Sequence, residues 1–191
     1  KIMSEIDFST VSNLEFEKNQ KNKGYGAGHN QKILFVKSDI HLVLNPDVEL
    51  EEHSLYHGMS ALLDDNNLLL VSPSARSSQG ERIFLCKRYP SLLILGLRGF
   101  ASEFLRNIFQ PLLAKYEMRD IVSENERASI SLASGCFMLC KTEMLQSIGG
   151  FSDKYFLYFE DFDLSLRLGE LGVLAVDPSV KIIHHGGNAS K

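Results

Sequence analysis

The sequence has no C-x-x-C pair, no long basic run, no signal-peptide pattern and no continuous apolar span long enough to cross a bilayer. Each absence excludes something. Its three cysteines, Cys86, Cys136 and Cys140, are odd in number and unpaired in spacing, which fits a reducing compartment better than a disulfide framework or a zinc site. A formal charge of −4 without a basic run argues against nucleic-acid binding. Without an apolar span there is no candidate transmembrane helix. No G-x-G-x-x-G follows a strand, so the dinucleotide fingerprint is missing. Residue 1 is not Met, which suits a fragment or a start that is not included. What remains is 191 residues of ordinary α/β composition, enough for one domain with a sizeable core.

The most informative stretch is Tyr155–Arg167, YFLYFEDFDLSLR. Leu164, Leu168 and Leu171 at helical spacing, with Gly172 as a stop, predict a helix. Glu160, Asp161 and Asp163 then fall in its first turn, where the helix dipole favours acids. Glu160, Asp163, Arg167 and Glu170 make one polar stripe, and Asp163 with Arg167 is an i, i+4 pair that needs no functional account. Asp161 instead heads the leucine stripe. A carboxylate there is costly unless it lines a cleft or has a partner. Phe156, Phe159 and Phe162 would exclude water from it and raise its pKa toward that of a useful base.

Upstream, Lys1–Ile6 reads as the tail of a helix and Asn13–Glu17 as a short strand. Gly24, Gly26 and Gly28 alternate before a helix through Ile33, Leu34 and Lys37, with Asn30 as its cap. A glycine-rich turn into a helix can hold a phosphate, although a plain loop is the commoner outcome. Ile40–Leu44 is a short buried strand ending in Asn45-Pro46-Asp47. Asp47 thus hangs from the carboxyl end of a strand, where open α/β sheets bind ligands, or else belongs to an ordinary turn. Glu51–Asn66 reads as a helix with Leu55, Met59, Leu62 and Leu63 inward. Leu68–Val71 is another buried strand, and Ser74–Arg82 a polar, mobile stretch. The alternation predicts a mostly parallel sheet.

Tyr89–Met118 differs in character: two amphipathic helical pieces broken by Pro111, with Arg98, Arg106, Lys115 and Arg119 interleaved. Packing against the domain or a dimer partner is one account, contact with a membrane surface the other. Ile130–Lys141 reads as a strand bent near Ser134-Gly135. Thr142–Ile148 is a short helix capped by Thr142 and ended by Gly149-Gly150. Val173–Val176 and Val180–His185 are strands around an Asp177-Pro178 turn. The adjacent His184 and His185 before two glycines suit a metal or phosphate contact, although lone histidines are usually structural.

Four motifs in order make the chain resemble the family 2 glycosyltransferases of the GT-A fold, in the rhamnosyltransferase-like branch. They are Asn22 through Asn30 (NKGYGAGHN), Leu44-Asn45-Pro46-Asp47 as the L-N-P-D form of the D-x-D motif, Ser134 through Arg167, and the closing His184–Ser190. His29 stands where the family usually has Asn, and the serine of the closing motif is shifted. Nothing matches the family's opening strand or its later D-N-x-S-x-D element. The resemblance therefore implies one GT-A-like domain over 1–191: a mostly parallel twisted sheet flanked by helices, with a helical insertion at 88–120. It also implies an N-terminally incomplete chain that binds donor nucleotide poorly.

The activity it implies is inverting, metal-dependent transfer of a sugar, with rhamnose a candidate, from a nucleotide-diphosphate donor to a glycan or lipid-linked acceptor. The setting would be bacterial surface polysaccharide synthesis in the cytoplasm or at the inner face of its membrane. A divalent cation, Mg or Mn, would be held by Asp47 and His184, with His185 the alternative. Asn22, Gly24, Asn45, Asp47 and His185 would bind the donor. Asp161 would be the base, with Glu160 orienting the acceptor, Ser134 and Gly135 lining the acceptor side, and Asp163 and Arg167 as support. The rival readings are a non-catalytic sugar-nucleotide or glycan binding module of the same fold, and a sugar-phosphate nucleotidyltransferase. The latter needs a glycine-rich basic signature that is not seen.

Overall fold

The computed structural model describes residues 19–186. The expected elements at Lys1–Ile6 and Asn13–Glu17, and the last residues of the closing motif, lie outside them. The described chain runs α1 (Tyr25–Ile33), β1 (Ile40–Leu44), β2 (Val48–Leu50), α2 (Ser54–Asp64), β3 (Leu68–Arg76), β4 (Arg82–Ile83) and α3 (Leu92–Phe100). It continues with α4 (Glu103–Ile108), α5 (Gln110–Tyr116), β5 (Ala128–Ser129), β6 (Phe137–Lys141), α6 (Thr142–Ser147), α7 (Glu160–Gly169) and β7 (Val173–His184).

The sheet has the order β1-β6-β3-β7-β2, with β4 added to β3 and β5 to β7. It is a twisted α/β sheet covered by helices, as expected, but its pairing is mixed. Among the described strands only β3 and β7 run parallel; the other pairs are antiparallel. The sequence hides this because a strand buried on both faces reads as the same apolar run in either direction. Alternation is clear within each strand. Met138, Cys140, Leu174 and Val176 face the cluster under α1, α6 and α7. Phe137, Leu139, Ala175, Val180 and Ile182 face the cluster under α2. This period of two builds three layers from one sheet.

Several local expectations change. β3 and β7 are longer than the apolar runs suggest and pass straight through Pro73 and Pro178. The β3–β7 register shifts between Pro73 and Ser74, opposite Asp177 and Lys181, so neither proline has to donate within a regular ladder. The inward face of α2 is Ser54, Gly58, Ala61 and Leu62, while Leu55, Met59 and Leu63 are exposed. Gly58 lies so near Leu139 and Val180 that the helix packs closer than a leucine face would allow. Thr142 is the first helical residue of α6, whose cap is Lys141. Residues 92–116 form three helices, and Pro111 lies in the first turn of α5, where its missing N–H costs nothing. All three cysteines are buried and free.

Candidate active site

α1 starts at Gly24, not Asn30. Gly24 has φ 95°, and its N–H donates to Asn22 Oδ1 at 3.0 Å. A Cβ there would lie 2.4 Å from the Phe156 carbonyl oxygen, so glycine is required both by conformation and by contact. Asn30 sits inside α1 and binds the backbone of Phe151 twice, donating to its O at 2.7 Å and accepting from its N at 2.8 Å. This fixes α1 to the turn after α6, where Gly149 and Gly150 both have positive φ.

Tyr25, on the first turn of α1, reaches the bend before β6 and donates to the Gly135 carbonyl at 2.5 Å. From the other side, Gly135 N–H donates to Asp161 Oδ2 at 3.0 Å, and Asp161 Oδ1 accepts from Phe162 N at 2.9 Å. Ser165 is fully buried; its hydroxyl donates to Asp161 O at 2.7 Å and accepts from Ala133 N at 3.1 Å. The Asp161 carboxyl is raised above its ordinary pKa by burial, and the Gly135 and Phe162 hydrogen bonds pull the other way. Each carboxylate oxygen keeps a second lone pair for a substrate proton.

Glu160 is only 6 % exposed, and its Oε2 has no hydrogen-bond partner among the described residues. Burial first, and the neighbouring Asp161 charge second, raise its carboxyl. Asp163 and Arg167 form the expected ion pair at 2.6 Å, and Arg167 also donates to the Ile148 carbonyl at 2.8 Å. Arg167 thus ties α7 to the end of α6, and among the described residues it makes no hydrogen bond or ion pair with Glu160 or Asp161. α7 begins at Glu160, earlier than its leucine stripe announces. Tyr158 and Phe159 precede it with φ 70° and 67°, a conformation costing roughly 1–3 kcal/mol for each non-glycine residue. The aromatic loop does not bury Asp161 as expected: Phe156 and Phe159 are exposed, and Phe159 rests edge-on against Phe162.

β1 delivers Asp47. Asn45 N donates to the Cys136 carbonyl at 2.9 Å and Asn45 O accepts from Val48 N at 3.3 Å, closing the turn beside the Gly135 bend. β2 then pairs with the end of β7, setting Val48 opposite His184. Asp47 Oδ2 lies 3.4 Å from His184 Nε2, while the buried Asp47 Oδ1 has no partner among the described residues. His185 points the other way, to Glu49 at 3.2 Å, so of the two histidines only His184 faces Asp47. The His185 backbone N–H nevertheless donates to the Asp47 carbonyl at 3.0 Å.

The acids converge. Tyr25 lies in the combined field of Asp161, Glu160 and Asp47, which adds to burial in pushing its phenol up. The Cys136 thiol, pushed up to about 11 mainly by burial, feels both Asp47 and Asp161. The Asn45–Cys136 and Gly135–Asp161 hydrogen bonds set the β1 turn and the start of α7 beside the same two-residue bend. Ser134 forms the bend itself, its hydroxyl 3.5 Å from Cys136 N.

Among the described residues no group of three or more His, Cys, Asp or Glu is arranged to hold a metal. Asp47 and His184 alone suit a hard divalent ion that takes its remaining ligands from substrate phosphates and water. The unpartnered Oδ1 of Asp47 is the oxygen such an ion would satisfy.

No protein-family profile matches the chain. It is 28 % identical over 186 residues to the N-acetylglucosaminyl-diphospho-decaprenol L-rhamnosyltransferase of Mycobacterium tuberculosis, a match covering 88 % of this chain and 58 % of that protein. It is 29 % identical over 175 residues to the rhamnosyltransferase WbbL of Escherichia coli, covering 84 % of this chain and 61 % of that one. Over most of its length the chain is thus similar to rhamnosyltransferases from two bacteria. It spans about three fifths of the length of these relatives. The L-N-P-D turn and the E-D pair both adjoin the Gly135–Cys136 bend, through the Asn45–Cys136 and Gly135–Asp161 hydrogen bonds. Tyr25, Ser165 and the inner role of Asn30 are the parts that motif reading leaves out.

Proposed function

We propose that the chain carries the catalytic face of an inverting glycosyltransferase that moves a sugar from a nucleotide-diphosphate donor to a lipid-linked glycan. Rhamnose and a diphospho-lipid acceptor are the choices that its relatives' names suggest. The supporting observation is the placing, around one bend, of a half-buried Asp161 whose pKa is raised and an Asp47 whose inner oxygen lacks a partner among the described residues.

In this reading Asp47 and His184 hold a divalent ion, which when bound would neutralise the leaving diphosphate. Asn22 and Gly24 shape the turn at the start of α1 on the donor side. Asn45 fixes the Asp47 turn, and the role for His185 narrows to its backbone bond with Asp47. Asp161 takes the acceptor hydroxyl proton on the side opposite the leaving group, which makes a direct displacement inverting. Glu160 offers its unpartnered oxygen to an acceptor hydroxyl, Gly135 holds Asp161, and Gly135 and Ser134 line the acceptor side.

Among the described residues no helix is long and apolar enough to cross a membrane. A peripheral seat is supported by α3–α5. Leu92 is 88 % exposed, Phe100 94 % and Phe104 72 %, and α4 buries none of its residues. Residues 88–119 carry five basic and two acidic side chains in a chain of formal charge −4. That combination suits the cytoplasmic face of an anionic bilayer. Sedimentation with anionic and neutral vesicles tests this: no binding to either at low salt, with dimers by light scattering, assigns the face to a second copy.

The deciding experiment for the activity is a donor screen on the full-length protein with a GlcNAc-diphospho-lipid acceptor and NMR assignment of the product anomer. Retention of configuration, or binding of donor without any transfer, would refute the mechanism.

A further inference from the structure

At the root of the three exposed helices lies a cationic cluster that the transfer chemistry does not use. Lys87 follows β4 and is tied to the strand beside the Gly135 bend: its N–H donates to Leu132 O at 2.9 Å and its carbonyl accepts from Leu132 N at 3.1 Å. Its side chain is 16 % exposed, with the ammonium 5.8 Å from the centre of the Tyr116 ring. Arg98, from α3, sits over the same ring at 5.4 Å. Aromatic rings hold cations this way without neutralising them.

The available negative charge does not balance the cluster. Glu117 is paired with Arg119 at 2.6 Å, while its distance to Lys87 is 3.8 Å. Among the described residues the hydrogen bond of the Lys87 ammonium goes to the Phe84 carbonyl at 2.6 Å, and Arg98 has no ion pair. Arg88 is occupied by Asp120 through two hydrogen bonds. Burial is the chief cause that lowers the Lys87 pKa; Glu117 opposes it, and repulsion from Arg98 and Arg119 works with it, so the one carboxylate shared among three cations does not offset the cost of burying this ammonium. Leu132, which pairs with the Lys87 backbone, lies three residues before Gly135, whose N–H binds Asp161, so the cluster borders the proposed base. On its other side begin the exposed apolar residues of α3.

We propose that Lys87 and Arg98, presented by Tyr116, bind the diphosphate of the lipid-linked acceptor. An amphiphile with its apolar chain on α3–α5 and its sugar at Asp161 has to place its phosphates between them, where these two cations stand. The donor diphosphate belongs to Asp47 and His184, across Tyr25. This rests on the lipid-acceptor reading above and adds the groups that recognise the acceptor's charged link.

The test uses the full-length protein and two readouts. In calorimetry with farnesyl diphosphate, Lys87→Gln and Arg98→Gln should each weaken binding at least tenfold, while Glu117→Gln, which frees Arg119, should tighten it severalfold. In transfer assays, kcat/KM for a GlcNAc-diphospho-lipid should fall at least tenfold relative to that for a phosphate-free alkyl GlcNAc. Unchanged farnesyl diphosphate affinity in both variants, or no binding by the parent, overturns the site. Parallel loss of nucleoside-diphosphate binding overturns it too, by reassigning the cluster to the donor. Phosphate-dependent binding without any transfer keeps the site and sinks the transferase reading instead.

Discussion

Asp161→Asn is the sharpest perturbation of the proposed base, and it is not geometrically silent. The carboxylate accepts Gly135 N–H on one oxygen and Phe162 N–H on the other. An amide has one acceptor oxygen, so one of those N–H groups must face an NH2. Leaving a buried donor unmatched costs about 1–3 kcal/mol. Against this, the substitution removes a charge that burial disfavours. The Asp161 carboxyl binds its proton more tightly folded than unfolded, so its contribution to stability is present below its ordinary pKa of 3.8 and is lost as pH rises through the raised value. Near neutral pH the two effects oppose, and the net change in stability should stay within about 2 kcal/mol. The kinetic effect should be much larger. Loss of a general base lowers kcat by about 10²–10⁴-fold, or roughly 3–5 kcal/mol in the barrier. Full-length wild-type and variant proteins would be compared by transfer rate, by calorimetric donor binding and by thermal melting. The expectation is lost turnover, donor affinity within about twofold, and a wild-type rate that declines as pH falls through the raised pKa. A variant that melts like the parent and turns over within about threefold of it would remove Asp161 from the chemistry.

Other consequences can be checked alongside. Asp47→Ala should abolish the dependence of donor binding on magnesium or manganese; equal affinity with and without metal in the parent would already contradict the site. Burial, with His41 second, lowers His29 to about 4 from 6.5, so the unfolded chain binds a proton in that window that the folded chain refuses. Stability should therefore fall as pH drops from about 6.5 to 4, by up to about 3 kcal/mol, and urea unfolding of His29→Asn should show a shallower slope. Gly24→Ala combines a positive φ with a Cβ against the Phe156 carbonyl and should cost at least about 2 kcal/mol; a melting temperature equal to the parent's would show that the turn relaxes freely.

The rim of the sheet is legible in the sequence because its signals are local. A proline turn after a short apolar strand locates Asp47, and an acid heading a leucine stripe singles out Asp161 from the acids around it. The alternation of β2 and β7 then decides what adjacent histidines leave open, turning His184 toward Asp47 and His185 toward Glu49. The parts that stay hidden depend on partners far along the chain. Asn30 looks like a cap because its neighbours suit one, yet its partner Phe151 is 121 residues away. Tyr25 meets Gly135 across 110 residues, with no pattern in either stretch to announce it. Strand direction is hidden for a different reason, since an apolar run carries no arrow. The inner face of α2 is misread because close packing selects Gly58 and Ala61 over larger leucines.

Gly135 has no side chain, yet it and the residue after it fasten three distant segments. Its carbonyl is gripped from α1 and its amide hydrogen from α7, while the next residue's carbonyl receives the turn that carries Asp47. Neither helix can slide past the other without breaking one of these bonds. The bend itself offers only main-chain atoms, but the Tyr25 hydroxyl and the Asp161 carboxylate do the holding, so losing either side chain frees one helix from it. Of the side chains around the rim, these two are therefore the ones least free to change without altering the distance across it.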